Sequence, residues 1–125
     1  MDRPTPRFPG RAPIEAYGNG GFRFAGMSHR GSILCLPSGI IAWEAAGVGS
    51  VDATLLNLLQ SEGATGNVLL LGTGRAPTFP ATDVRATFRD AGIWIEVMDT
   101  GAAARTYNVL LAEEREVSAA LIAVD

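Results

Sequence analysis

Ile93-Trp94-Ile95-Glu96-Val97-Met98-Asp99-Thr100-Gly101-Ala102-Ala103-Ala104-Arg105-Thr106-Tyr107-Asn108 changes period halfway along. The first six residues set Ile93, Ile95 and Val97 against Trp94, Glu96 and Met98, the alternation of a strand. Asp99-Thr100-Gly101 is a small-residue turn, and the residues after it fit a helix. The stretch therefore predicts a buried strand, Ile93 to Met98, and a helix from Thr100, taken as its N-cap, to about Glu113 with Ala103, Tyr107, Leu110 and Leu111 inward. Strand-to-helix turns of this kind are where α/β proteins build sites.

Working outward, Asn67 to Leu71 is a short apolar run of the kind buried on both faces of a sheet, followed at once by Gly72-Thr73-Gly74-Arg75. Pro80 to Ala91 reads as a helix with Val84 and Phe88 on one side. Ser50 or Asp52 caps a helix to about Ser61 that buries Val51, Leu55, Leu58 and Leu59. Glu116 to Val124 is a closing apolar strand of undetermined direction. Toward the N-terminus, Ile14 to Tyr17 and Phe22 to Phe24 flank Gly18-Asn19-Gly20-Gly21 as a β-hairpin. Two further strands lie on either side of Pro37-Ser38-Gly39, with Cys35 as a small core residue and His29 in a polar turn. Helices between strands in the second half predict an α/β domain with parallel pairing there.

The chain has 125 residues, 47% hydrophobic and 18% charged, which is one soluble domain with room for a core. Residues Met1 to Pro13 hold four of seven prolines and three arginines and read as a disordered or extended arm; 14–125 is the domain. The arm lacks the apolar core of a secretion signal, and no apolar run is long enough for a transmembrane helix. With one cysteine, a reducing compartment and a cytoplasmic bacterial protein are the expectation. A net charge of -3 with scattered arginines offers no footprint for nucleic acid. All ten basic residues are arginine, so a Schiff-base lysine and a lysine-dependent phosphate loop are excluded within this chain. One cysteine and one histidine make neither a disulfide nor a Cys/His zinc site, and the sequence implies no metal and no cofactor.

Chemistry can sit where two turns follow neighbouring strands. Gly72, Thr73, Gly74 and Arg75 form one; Asp99, Thr100 and Gly101 form the other, with Arg105 and Asn108 three apart on the helix beyond. Glycines allow close backbone approach, helix starts carry positive partial charge, and arginines supply forked donors, so a small anion is the ligand class these parts favour. Gly-Thr-Gly lacks the third glycine of a dinucleotide fingerprint, however, and the same residues suit a tight turn beneath a packed helix. Asp99 and Arg105 equally suit a structural ion pair. Glu96 has no paired carboxylate or histidine nearby in sequence, and no complete catalytic set is present, so the catalytic residues are unknown.

Gly31-Ser32-Ile33-Leu34, Leu36-Pro37-Ser38-Gly39, Leu71-Gly72-Thr73-Gly74, Asp99 to Asn108 and Ala119-Ala120-Leu121-Ile122 occur in this order. Together they resemble a widespread small family of unknown function that includes mitochondrial respiratory complex I assembly factor 3 and a human adipogenesis-associated protein. The match runs from about Ile14 to Val124. The resemblance implies a three-layer α/β single domain with a central mixed sheet flanked by helices and an additional N-terminal β-hairpin layer. It also implies a pocket near Gly72-Thr73-Gly74 and Arg105 to Asn108, and supplies no reaction. Some relatives carry cysteine at the position of Ala104, a thiol this chain lacks.

Two functions follow as expectations. One is a non-enzymatic assembly or binding factor whose partners are respiratory-complex or membrane-insertion proteins and which sits peripheral to the inner membrane through a partner. The other is an anionic-ligand binding protein or enzyme acting at the two glycine turns. The arginines have no partner base or nucleophile, which favours the first. The hairpin and the strands around Trp43 also offer an open apolar edge suited to a homo-oligomer.

Overall fold

The computed structural model describes residues 8–45, 47–64 and 67–125. Among these described residues are eight strands: β1 (Ile14–Gly18), β2 (Gly21–Phe24), β3 (Met27–Arg30), β4 (Ser32–Leu36), β5 (Gly39–Trp43), β6 (Val68–Gly72), β7 (Trp94–Met98) and β8 (Val117–Leu121). Three helices join them: α1 (Ala53–Ser61), α2 (Thr82–Asp90) and α3 (Thr100–Ala112), with a 3-10 turn at Val48–Ser50. β1 to β3 form an antiparallel sheet of their own, and the other five form a mixed sheet in the order β5-β4-β8-β6-β7. β8 runs parallel to β6 and antiparallel to β4, which fixes the direction that the sequence left open.

The alternation of the central strands sorts the core into two clusters. Leu70, Cys35, Ile33, Val117, Ala119 and Leu121 face α3 and the hairpin layer, where they meet Ala103, Ala104, Tyr107, Phe22 and Phe24. Leu69, Leu71, Leu34, Leu36 and Ala120 face the other way, toward Leu55, Leu59, Phe88 and Ile93. The layers are thus α1 and α2, the mixed sheet, and α3 with the three-stranded sheet. Small residues in β8 and on α3 let that helix lie close to the sheet.

The hairpin layer is tied down at named points. Asn108 on α3 accepts from the Ile14 N–H and donates to the Ile14 carbonyl, both at 2.8 Å. The Gly20 N–H donates to the Val124 carbonyl at 2.8 Å, so the chain's last residues brace the first turn. Residues 1–7 of the expected arm lie outside the described residues. Of the remainder, Phe8 forms an antiparallel bridge with Ile40, Ala12 is buried, and the Arg11 guanidinium donates to the Arg115 carbonyl at 2.8 Å. Phe8 therefore covers part of the β5 edge that the sequence left open to self-association.

Three local expectations are corrected. His29 lies in β3 opposite Phe22, not in a polar turn; Met27-Ser28-His29-Arg30 carries no apolar alternation and is held by backbone pairing. The N-cap of α3 is Asp99, whose carboxylate accepts from the Ala102 N–H at 2.9 Å, while Thr100 is inside the helix and fully buried. β7 is the last strand of its sheet, with Trp94 and Glu96 exposed, so the run Ile93 to Met98 is not buried throughout.

Candidate functional site

β6 and β7 are paired in parallel with Gly72 opposite Met98, so the turns that follow them lie side by side. Thr73 N–H donates to the Met98 carbonyl at 2.9 Å. Thr100 N–H donates to the Gly74 carbonyl at 2.8 Å, and Gly74 N–H donates back to the Thr100 hydroxyl at 2.8 Å. The same hydroxyl donates to the Ile122 carbonyl at 2.7 Å, beyond the end of β8. One buried side chain thus joins three strand ends. Gly74 holds a positive φ of 102°, which this exchange of bonds requires. Gly72 carries no side chain for a different reason: a Cβ there would lie 2.9 Å from Thr100 Cα and 3.1 Å from the Ala103 and Leu121 side chains.

These bonds bear on the chemistry available. An anion at a helix start uses backbone N–H groups that the helix leaves unpaired. Here the Thr100 N–H is taken by Gly74, the Ala102 N–H by the Asp99 carboxylate, and the Gly74 N–H by Thr100. Thr73 is occupied as well, its hydroxyl donating to the Ala76 carbonyl at 2.7 Å and accepting from the Thr78 N–H at 2.8 Å.

Of the residues expected at the site, the structure brings together Gly72, Thr73, Gly74, Asp99, Thr100 and Gly101. Arg105 is exposed one turn along α3, its guanidinium 3.2 Å from where a Cβ on Gly101 would stand, and the Tyr17 phenol lies over the same glycine. Arg75 is exposed and directed to the Asp125 carbonyl, 3.4 Å away. Asn108 is engaged with Ile14 and does not share the turn's environment.

Two groupings had no legible signal. Cys35 on β4 and Tyr107 on α3 are buried neighbours, with the exposed Arg11 of the N-terminal segment near the phenol. Burial pushes the Cys35 thiol up to about 12, partly offset by the bond from Tyr107. Burial likewise pushes the Tyr107 phenol up, with Cys35 adding to the rise and Arg11 opposing it. Such a thiol is neither a nucleophile nor a metal ligand at neutral pH. The other grouping is on the surface, where Phe79 and Trp94 are exposed and the Arg85 guanidinium lies 5.2 Å from the centre of the Phe79 ring. Trp94 donates its indole N–H to the Glu96 carboxylate at 2.6 Å. Glu96 lies exposed on the last strand of the sheet.

Comparison with known proteins agrees with this architecture. A crystal structure described as that of an outer membrane protein from Bartonella henselae superposes with a TM-score of 0.85 at 49% identity, covering 95% of this chain and all of that one. An uncharacterized protein of Rhodobacter capsulatus is 37% identical over 117 residues, 94% of this chain and 89% of that protein. The NADH dehydrogenase [ubiquinone] 1 alpha subcomplex assembly factor 3 of Xenopus tropicalis is 29% identical, over 87% of this chain and 60% of its own length. The chain thus spans about three fifths of that assembly factor. Residues 14–122 match the family model described as protein of unknown function (DUF498/DUF598), and the chain belongs to that family, which also holds complex I assembly factor 3.

Proposed function

We propose that this protein is a binding or assembly factor that works by holding a partner protein, in a role similar to that of the complex I assembly factors among its relatives. The observation that carries this reading is the likeness to those factors over 87% of the chain. The geometry supports it from a second direction. The polar groups at the strand-end turns are engaged with the chain's own backbone, whereas large aromatic side chains, Phe79 and Trp94, stand exposed.

The partners proposed are respiratory-complex or membrane-insertion proteins. Among the described residues no helix is long and apolar enough to cross a membrane, so attachment to the inner membrane would run through such a partner. Purification of the tagged protein from its native cells under gentle conditions is expected to recover a respiratory or membrane-insertion component in stoichiometric amount. Recovery of none would end this reading.

A second reading keeps one observation in its favour. The Arg105 guanidinium stands exposed beside Gly101 with no ion-pair partner among the described residues, a position from which it can meet a small anion. An anion screen in which Arg75→Ala and Arg105→Ala leave binding unchanged would remove it.

A further inference from the structure

β7 ends the mixed sheet, and its ladder with β6 determines which of its backbone groups are in use. Trp94 N–H donates to the Asn67 carbonyl, and Trp94, Glu96 and Met98 stand opposite Val68, Leu70 and Gly72. In a parallel ladder alternate residues turn their amide and carbonyl toward a given neighbour. Trp94, Glu96 and Met98 therefore serve β6, and the N–H and C=O groups of Ile95 and Val97 point outward. The opposite edge differs: Phe8 and Ile40 exchange hydrogen bonds at 3.2 and 3.0 Å on β5. An edge with outward donors and acceptors is a template for one more strand.

The side chains around this edge select what that strand carries. On α2, Thr82, Arg85, Ala86 and Arg89 fall on one face at helical spacing, and together with the start of β7 at Trp94 and Ile95 they line a cleft of about 150 Å³. Neither Arg85 nor Arg89 has an ion-pair partner among the described residues; Arg85 lies over Phe79 instead. Ile95 and Val97 pack into the core on the α2 side, so Trp94, 54% exposed, projects from the other face of the sheet. A strand added to β7 would send alternate side chains to these two faces. One set would meet two guanidinium groups a helical turn apart, and the other would lie beside the Trp94 indole.

We propose that the β7 edge docks an extended segment of a partner protein in which acidic and apolar residues alternate. Its carboxylates meet Arg85 and Arg89, its apolar side chains cover Trp94, and its backbone pairs with Ile95 and Val97. The proposal deepens the binding-factor reading and rests on it. Charge is what favours this occupant over a second copy of the chain. Two β7 strands joined antiparallel across a two-fold axis would bring their arginine pairs together on the same face.

The probe is a blocked eight-residue peptide of alternating glutamate and valine, with a lysine-valine counterpart, titrated into the whole chain while amide hydrogen exchange is followed. The acidic peptide is expected to saturate and to slow exchange at Ile95 and Val97, and the lysine peptide to do neither. R85E/R89E, which alters only exposed side chains, is expected to weaken binding by about tenfold or more. Val97→Pro, which removes an outward N–H at an edge where proline is tolerated, is expected to abolish it. Lack of saturable binding, or binding that both variants leave unchanged, overturns the proposal. So does concentration-dependent dimerisation that protects the same two amides. If tagged R85E/R89E still recovers the respiratory component from native cells, the edge assignment falls and the binding-factor reading stands. If the unaltered protein recovers none, that reading falls first.

Discussion

Thr100 is buried, donates through its hydroxyl to the Ile122 carbonyl and accepts there from the Gly74 N–H. Valine in its place keeps the shape and leaves both partners without a bond, at a cost of about 2–4 kcal/mol. Thr100→Ser keeps the bonds and is expected to cost less than half as much; urea unfolding of the two variants separates the hydrogen bonds from the packing. The two nearby glycines behave differently. A methyl on Gly72 meets backbone and core side chains, and Gly72→Ala is expected to cost about 1–3 kcal/mol. A methyl on Gly101 meets the ring of Tyr17, which is 44% exposed and can swing aside, so Gly101→Ala is expected to cost less. Cys35 gives the pH dependence. With its folded pKa raised from 9.0 to about 12, the folded state holds a proton that the unfolded chain releases. Stability is full below pH 9 and declines toward pH 12, and the raised Tyr107 phenol acts in the same direction. Cys35→Ala is expected to flatten part of that decline in alkaline unfolding. From sequence, Cys35 was legible as a core residue because it lies between leucines. A hydroxyl at a helix start ordinarily caps it, so the sequence points to Thr100, and nothing local shows that Asp99 takes that position instead.

The elements that sequence recovers are those with a period or an unbroken apolar run: the first hairpin, β4, β5, β6, β8 and the three helices. β3 was missed because its burial is slight and its stability comes from pairing with β2, which leaves no mark in the pattern of Met27 to Arg30. β7 is legible as a strand but not as an edge, since its apolar residues resemble those of a central strand. Glu96 was the sign of an edge. The attachment of the hairpin layer to α3 was also illegible, because Asn108 and Ile14 are 94 residues apart. That attachment has a direct consequence. Asn108→Ala removes both bonds to Ile14 and is expected to speed amide exchange throughout β1 to β3 while β6 and β8 stay protected. If exchange rises equally in all strands, the hairpin layer is not a separately opening unit.

At the scale of the molecule, one face of the mixed sheet is covered by α1 and α2 and the other by α3 with the small sheet, and the β5 edge is partly closed by Phe8. Among the described residues the edge that stays open is β7, with the Trp94 side chain on one face and Arg85 and Arg89 on the other. The two glycine turns exchange hydrogen bonds with each other and with the end of β8, and the edge proposed to hold a partner lies beside them. Sequence carried the family and the layers, through ordered motifs and alternation. It did not carry the edge, which depends on strand order and so on contacts across the whole chain. The most direct test places a photo-crosslinking side chain at Trp94, and separately at exposed Val109 on α3, in the tagged protein within its native cells. A partner adduct at position 94, absent at 109 and lost on adding R85E/R89E, is the expected result. Adducts at neither position, or at 109 alone, would contradict a partner held on the β7 edge.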